Sequence, residues 1–390
     1  MSGNSISYII YFSFLYLCAF PKHFKKNEEL IKYLVIFSLI IFIGLRGYVA
    51  TDYSVYAIKY REAATLLDDN FIGYFLSPAS SFEKGFTLFM CFCRTFSDNY
   101  FFFQLINFLI DLYLFNIFIN YFLDKKLHII AYIALFCFQG FIIELNLLRN
   151  SKAIMMFCVS LIYLDKRKYL NYCLLNFLGS LFHISAIFYF VLPFFIFKKV
   201  SKKIILFLFI IGNIFFVLRI KWIFPIAKFV LPIFGQSRIS QLISTYVLLT
   251  ENATKYSLGF GFIERNLTYL LMLYYQDKIL KKEPGKIIFI NMVYINNFIY
   301  LLCSEFLILT QRLPPLVASG YWIMIPSIYC YFVKKERKYI YWIILLFYLL
   351  IKISAWTTSN YMKYTNAIFT EQNLELSSSL MEKELLKEIE

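Results

Sequence analysis

The chain has 390 residues, of which 60% are hydrophobic, 21% aromatic and only 16% charged, with a formal net charge of +15 and a mean hydropathy of +0.65. Soluble domains carry about a quarter of their residues as charges, so an ordinary soluble enzyme is excluded. The basic excess falls in short Lys and Arg clusters between apolar runs, which is the positive-inside pattern of a polytopic membrane protein and not the basic face of a nucleic-acid binder.

A spanning helix needs about 20 mostly apolar residues, and such windows recur along the chain. The fold class predicted is therefore all-α, a polytopic integral membrane protein of about 11–13 transmembrane helices with a long extracytoplasmic loop. Ionisable residues are expected at helix ends and in the loops. One transmembrane domain covers residues 1–369, and an acidic tail with six Glu and two Lys covers 370–390. Eight Cys without a CxxC pair, and only three His, speak against a metal cluster or a thiol redox site.

In chain order, a first helix near 6–20 exits among Lys22, Lys25, Lys26 and Lys32 on the cytoplasmic side, and a second near 31–45 returns outward at Arg46. Residues 46–81 form an external loop containing an amphipathic surface helix, on which Asp52, Tyr56 and Tyr60 recur every four residues and share a face. Segment 82–96 is ambiguous because it contains Glu83 and Arg94, whereas 100–122 reads as a span. Segments 129–147 and 151–164 pair around an outer turn holding Arg149 and Lys152, and Asp165 to Lys168 are cytoplasmic. Segments 170–182 and 184–197 pair around His183, and a span near 204–218 leads out again.

The stretch 219–262 is a second external loop with a re-entrant or interfacial part, since irregular backbone is tolerated at membrane depth only where protein or water satisfies it. Its Asn-Ala-Thr at 252–254 matches a glycosylation acceptor. Spans near 263–276, 287–310, 314–333 and 339–355 follow, with Lys334 to Lys338 cytoplasmic. The acidic tail is expected as a solvent-facing short helix or disorder. No phosphate-binding loop, dinucleotide fingerprint, HExxH or GxSxG motif occurs, so ATP-driven transport and ordinary hydrolysis have no local support.

Arg46, Arg149 with Lys152, and Arg312 are all assigned to the outer side. Each could snorkel to the interface alone, but cations gathered at one face of a charge-poor chain point to an anionic partner such as phosphate. Asp52, after Thr51, fits a helix cap or a site residue. Glu83 fits a surface pair with Lys84 or a site. His183, in an apolar run, fits either a core histidine bonded to a carbonyl or a binding or catalytic group.

The segments GLRGYVATDYSVY at 44–56, FEKGF at 82–86, LLRNSKAI at 147–154, FHISAIF at 182–188, QRLPPL at 311–316 and YMKYTNAIF at 361–369 together resemble the EpsG-type branch of the Wzy polysaccharide polymerases. The resemblance implies an enzyme that joins undecaprenyl-pyrophosphate-linked repeat units into O-antigen, capsular or exopolysaccharide chains at the outer face of a bacterial inner membrane. It implies pyrophosphate binding by Arg149, Arg46, Arg312 and Lys152, a catalytic base among His183, Asp52 and Glu83, and sugar contacts by Tyr53 and Tyr56. No metal or cofactor is called for if cations stabilise the leaving charge. Membrane lipids, a chain-length regulator and a flippase are the implied partners, with no nucleic acid. The rival readings are a flippase or transporter of lipid-linked sugars, another membrane glycosyltransferase or acyltransferase, and a structural subunit of an export machine.

Overall fold

Apolar runs fold the described residues almost entirely into helices. The computed structural model describes residues 3–19, 24–77, 82–230, 258–331 and 335–389. The glycosylation motif at 252–254 and the centre of the second external loop lie outside these residues. Among the described residues, four helical stretches are long and apolar enough to cross a membrane: Tyr100–Phe122, Lys125–Asn146, Pro284–Leu302 and Lys338–Trp356. Other expected spans take shorter forms. Residues 184–197 break into a 3-10 turn and two four-residue helices around His183 and Pro193, because proline cannot continue a helix through its interior.

The chain divides into two compact units, Met1–Val191 with Ile325–Glu390, and Leu192–Met324. The first opens with α1 (Ile6–Cys18), α2 (Phe24–Leu39), α3 (Tyr53–Glu62), α4 (Phe71–Leu76) and α5 (Lys84–Phe96). The long α6 (Tyr100–Phe122) starts where the Asn99 side chain accepts the Phe101 N–H, satisfying a donor that the first turn leaves open. α7 (His128–Leu135) and α8 (Phe141–Asn146) are separated by a π-turn in which Gln139 takes φ 71°. They are followed by α9 (Leu148–Asp165), α10 (Tyr169–Phe182) and α11 (Phe188–Val191). Tyr8 and Phe12 of α1 pack edge-on against Phe141 of α8.

The second unit contains α12 (Pro193–Ile196), α13 (Lys202–Leu218), α14 (Ile223–Val230), α15 (Phe260–Lys282), α16 (Ile287–Leu302) and α17 (Leu307–Arg312), and α18 (Ser319–Tyr329) begins in it. Its buried Asn291 donates to the carbonyls of Ile196 and Lys198, and Glu305 accepts the N–H groups of Trp222 and Phe224 at 3.0 Å each. The first unit closes with α19 (Lys335–Trp356) and α20 (Leu374–Ile389).

The tail is not solvent-facing throughout. α20 buries Leu374 and Met381 in the same aromatic cluster as Tyr53, Tyr56, Tyr60 and Phe86. Nor are the charges confined to ends and loops. Arg46, Asp111, Glu144 and Lys152 are each at most 2% exposed inside the first unit.

Candidate functional site

Gly85 decides where the first element of the site lies. A Cβ there would come within 2.7 Å of the Leu181 carbonyl, so only glycine lets the first turn of α5 abut the end of α10. That contact carries Glu83, the residue before α5, to the break after α10, where its Oε1 accepts the Ile184 N–H at 3.3 Å. Its Oε2 meets Arg149 Nη1 at 2.6 Å. Burial alone would raise the Glu83 carboxyl, but the guanidinium of Arg149, with a smaller contribution from His183, holds it below the usual glutamate value.

Arg149 sits in the first turn of α9, immediately after the α8–α9 break at Leu147. Its guanidinium lies 4.6 Å from the Phe82 ring centroid, a cation–π distance, and it faces the Tyr56 hydroxyl. Its Nε, also buried, has no hydrogen-bond partner among the described residues. One edge of the fork is thus held by a carboxylate while a donor remains for an anion.

The next residue, Asn150, links Arg149 to the histidine. Asn150 Oδ1 accepts the Ser185 hydroxyl at 3.0 Å, and Ser185 Oγ lies 2.7 Å from His183 Nδ1. The Ser185 N–H also donates to Nδ1, at 3.2 Å. Asn150, Ser185 and His183 thus form one chain of polar contacts at the break after α10. Neither Asn150 nor Ser185 stood out in the sequence, because neither type is unusual at a helix start or turn.

Asn146 ties the first loop to this hairpin. Its Oδ1 accepts the N–H groups of Thr51 and Asp52, at 3.0 and 2.8 Å, and the Thr51 hydroxyl at 3.1 Å. Asp52 Oδ1 accepts the Thr51 hydroxyl at 3.3 Å, and Asp52 is half-buried at the head of α3. Ala50 precedes it with φ 74°. The structure therefore brings together Asp52, Tyr56, Glu83, Arg149 and His183, from four separate stretches of sequence.

The other candidates lie elsewhere. Arg46 donates to the carbonyls of Ile43, Glu144 and Leu145, so its buried guanidinium serves backbone that the helix breaks leave open. Lys152 pairs with Asp111 at 2.5 Å and donates to the Asn107 carbonyl at 2.6 Å, and the Ser151 hydroxyl reaches the same Asp111 oxygen at 2.7 Å. In this arrangement both cations are buried inside the first unit. Tyr53 packs 5.1 Å from Tyr48, and it and Tyr56 show little surface, at 4% each. Arg312 is exposed at the end of α17, in the second unit.

The sequence model of the EpsG family matches residues 29–366. The chain belongs to the EpsG family. Every site element named above falls inside the matched region, and membership places the chain among the Wzy-type polysaccharide polymerases. No curated protein and no solved structure matches this EpsG-family chain.

Proposed function

We propose that the protein lengthens a surface polysaccharide by joining repeat units carried on undecaprenyl pyrophosphate, at the outer face of a bacterial inner membrane. The observation that carries the reading is the guanidinium of Arg149, anchored by Glu83, with an unfilled buried donor, among Asp52, Tyr56 and His183. In the reaction, a hydroxyl of the lipid-linked acceptor attacks C1 of the donor's reducing-end sugar. The C1–O bond to the pyrophosphate breaks, and the electron pair leaves with undecaprenyl pyrophosphate.

Arg149 receives the charge that develops on the leaving group, which preorganised donors stabilise without reorganisation. Glu83 keeps that donor aimed, since both of its oxygens are already occupied. His183, beside the Glu83–Arg149 pair, is placed to contact a sugar or phosphate oxygen of the substrate. Asp52 takes the proton from the attacking hydroxyl.

The test is gene deletion with gel analysis of glycan length. Collapse of the ladder to a core bearing one repeat unit supports polymerisation, and loss of all repeat units indicates a flippase or an assembly enzyme instead. In complemented strains, Asp52→Asn should abolish the ladder at normal protein abundance. A full ladder from it would remove Asp52 as the base.

A further inference from the structure

The C-terminal segment is stitched to the first loop by backbone. Ala367 N–H donates to the Leu45 carbonyl, Gly47 N–H to Thr365 and Ala50 N–H to Tyr361, at 2.8, 2.8 and 2.9 Å. Arg46 and Asn366 form the antiparallel bridge between them. Gln372 Oε1 accepts the Tyr48 N–H at 3.2 Å across the seam, and within the C-terminal segment Glu384 on α20 accepts the N–H groups of Asn360 and Tyr361. The acidic composition of α20 gives no sign of this return, but Leu374 and Met381 supply an apolar contact that holds it against the first loop's aromatic cluster.

Along this seam lies a hollow of about 720 Å³ bordered by Tyr53, Tyr361, Lys363, Ser377, Lys383 and Glu384. A second, of about 490 Å³, is bordered by Arg61, Asp98 and Glu371. Tyr48 borders both. The larger falls within the usual size of small-molecule sites, about 300–1,000 Å³.

We propose that the seam between the first loop and the C-terminal segment is a glycan-holding groove, which retains sugar residues of the polysaccharide chain outside the reacting centre. The lining fits a polyhydroxylated chain: the half-buried Tyr361 offers an apolar ring with a polar tip, and lysine, serine and carboxylate groups supply both donors and acceptors for hydroxyls. A lipid tail would leave those groups unsatisfied. Position supports the same ligand. Tyr53 borders the groove and Tyr56, three residues on along α3, faces Arg149, so about 4.5 Å of helix rise separates groove from centre. This inference rests on the polymerase reading, and it assigns the C-terminal segment a direct part in holding the substrate.

The probe is the host's own surface polysaccharide, released from lipid by mild acid and trimmed to a few repeat units. Its binding is measured by surface plasmon resonance to the full-length protein in nanodiscs. Lys363→Ala, which removes an exposed donor, and Ser377→Trp, which fills the groove from α20, should each weaken binding at least tenfold, with unchanged melting temperature confirming the fold. Arg149→Ala should bind as the wild type does. Wild-type affinity in both groove variants, or no binding by the unaltered protein, would overturn the groove. The polymerase reading fails by a different result, an unchanged glycan ladder in the deletion strain, so the two failures are told apart.

Discussion

Glu83 and Arg149, 66 positions apart in sequence, meet at 2.6 Å, and the Glu83 carboxyl is held below its ordinary value although burial opposes this. A carboxylate whose folded pKa is depressed binds fewer protons when folded, so it adds stability above the unfolded value of about 4.3 and loses it as pH falls further. The melting temperature of the wild type should therefore exceed that of Glu83→Gln by a constant margin from pH 6 to 8. The margin should shrink as pH drops below about 4.3 toward the folded value. A margin independent of pH down to 3 would show that the carboxylate charge does not contribute.

The interior pair Lys152–Asp111 gives an independent expectation. With both side chains 1% exposed, Lys152→Met removes the buried cation that Asp111 and the neighbouring acid Glu144 both face. Removal of one partner of a buried pair costs about 3–5 kcal/mol, whereas replacing both by apolar residues is often neutral. Lys152→Met should accordingly lower membrane abundance and melting temperature sharply, and Lys152→Met with Asp111→Leu should recover much of the loss. Additive losses in the double variant would show that the two groups are not coupled.

Gly85→Ala tests how the site is assembled. The added methyl would have to displace the Leu181 backbone, and with it the turn that presents the Ile184 N–H to Glu83. Overpacking of this kind costs about 1–3 kcal/mol. Glycan chain length should shorten while Gly179→Ala, whose Cβ would meet its nearest neighbours at ordinary contact distances of 3.5 Å, leaves the ladder unchanged. Equal ladders from both variants would show that the close approach at Gly85 is dispensable.

Helical class and membrane character were legible in the sequence because both follow from composition and apolar run length, which act locally. Arg149, Glu83, His183 and Asp52 were recognisable as polar residues interrupting apolar or patterned stretches. What joins them was not. The returns of Glu83 to Ile184 and of Asn146 to Asp52 depend on helix breaks at Leu147 and His183 and on one glycine contact, none of which has a periodic signal. Asp111 and Glu144 were missed because a single acid inside an apolar run has the same appearance whether it is partnered or not. The tail misled for a related reason. Its charge pattern describes a solvated helix, and only Leu374, Met381 and the capping contacts of Glu384 reveal the face that docks. Arg46 shows how a conspicuous charge can serve the backbone, since its guanidinium donates to three carbonyls.

Arg149 is where geometry and chemistry make the sharpest demand. The guanidinium must hold Glu83 through Nη1 and present its remaining donors to a phosphate oxygen at the same time, which a planar fork does and an ammonium does not. Arg149→Lys keeps the charge and can keep either contact, so it should lose most polymerising activity, and Arg149→Ala should lose essentially all of it. A donor that acts on developing negative charge contributes about 2–4 kcal/mol, or about 30- to 1000-fold in rate. If Arg149 only anchored the α8–α9 hairpin at the headgroups, lysine would serve equally well, because snorkelling needs a charge and a flexible stem but no fork. The measurement is the glycan ladder of a deletion strain complemented with each variant at matched membrane abundance. A wild-type ladder from Arg149→Lys would eliminate the two-edged contact, and one from Arg149→Ala would remove Arg149 from the site.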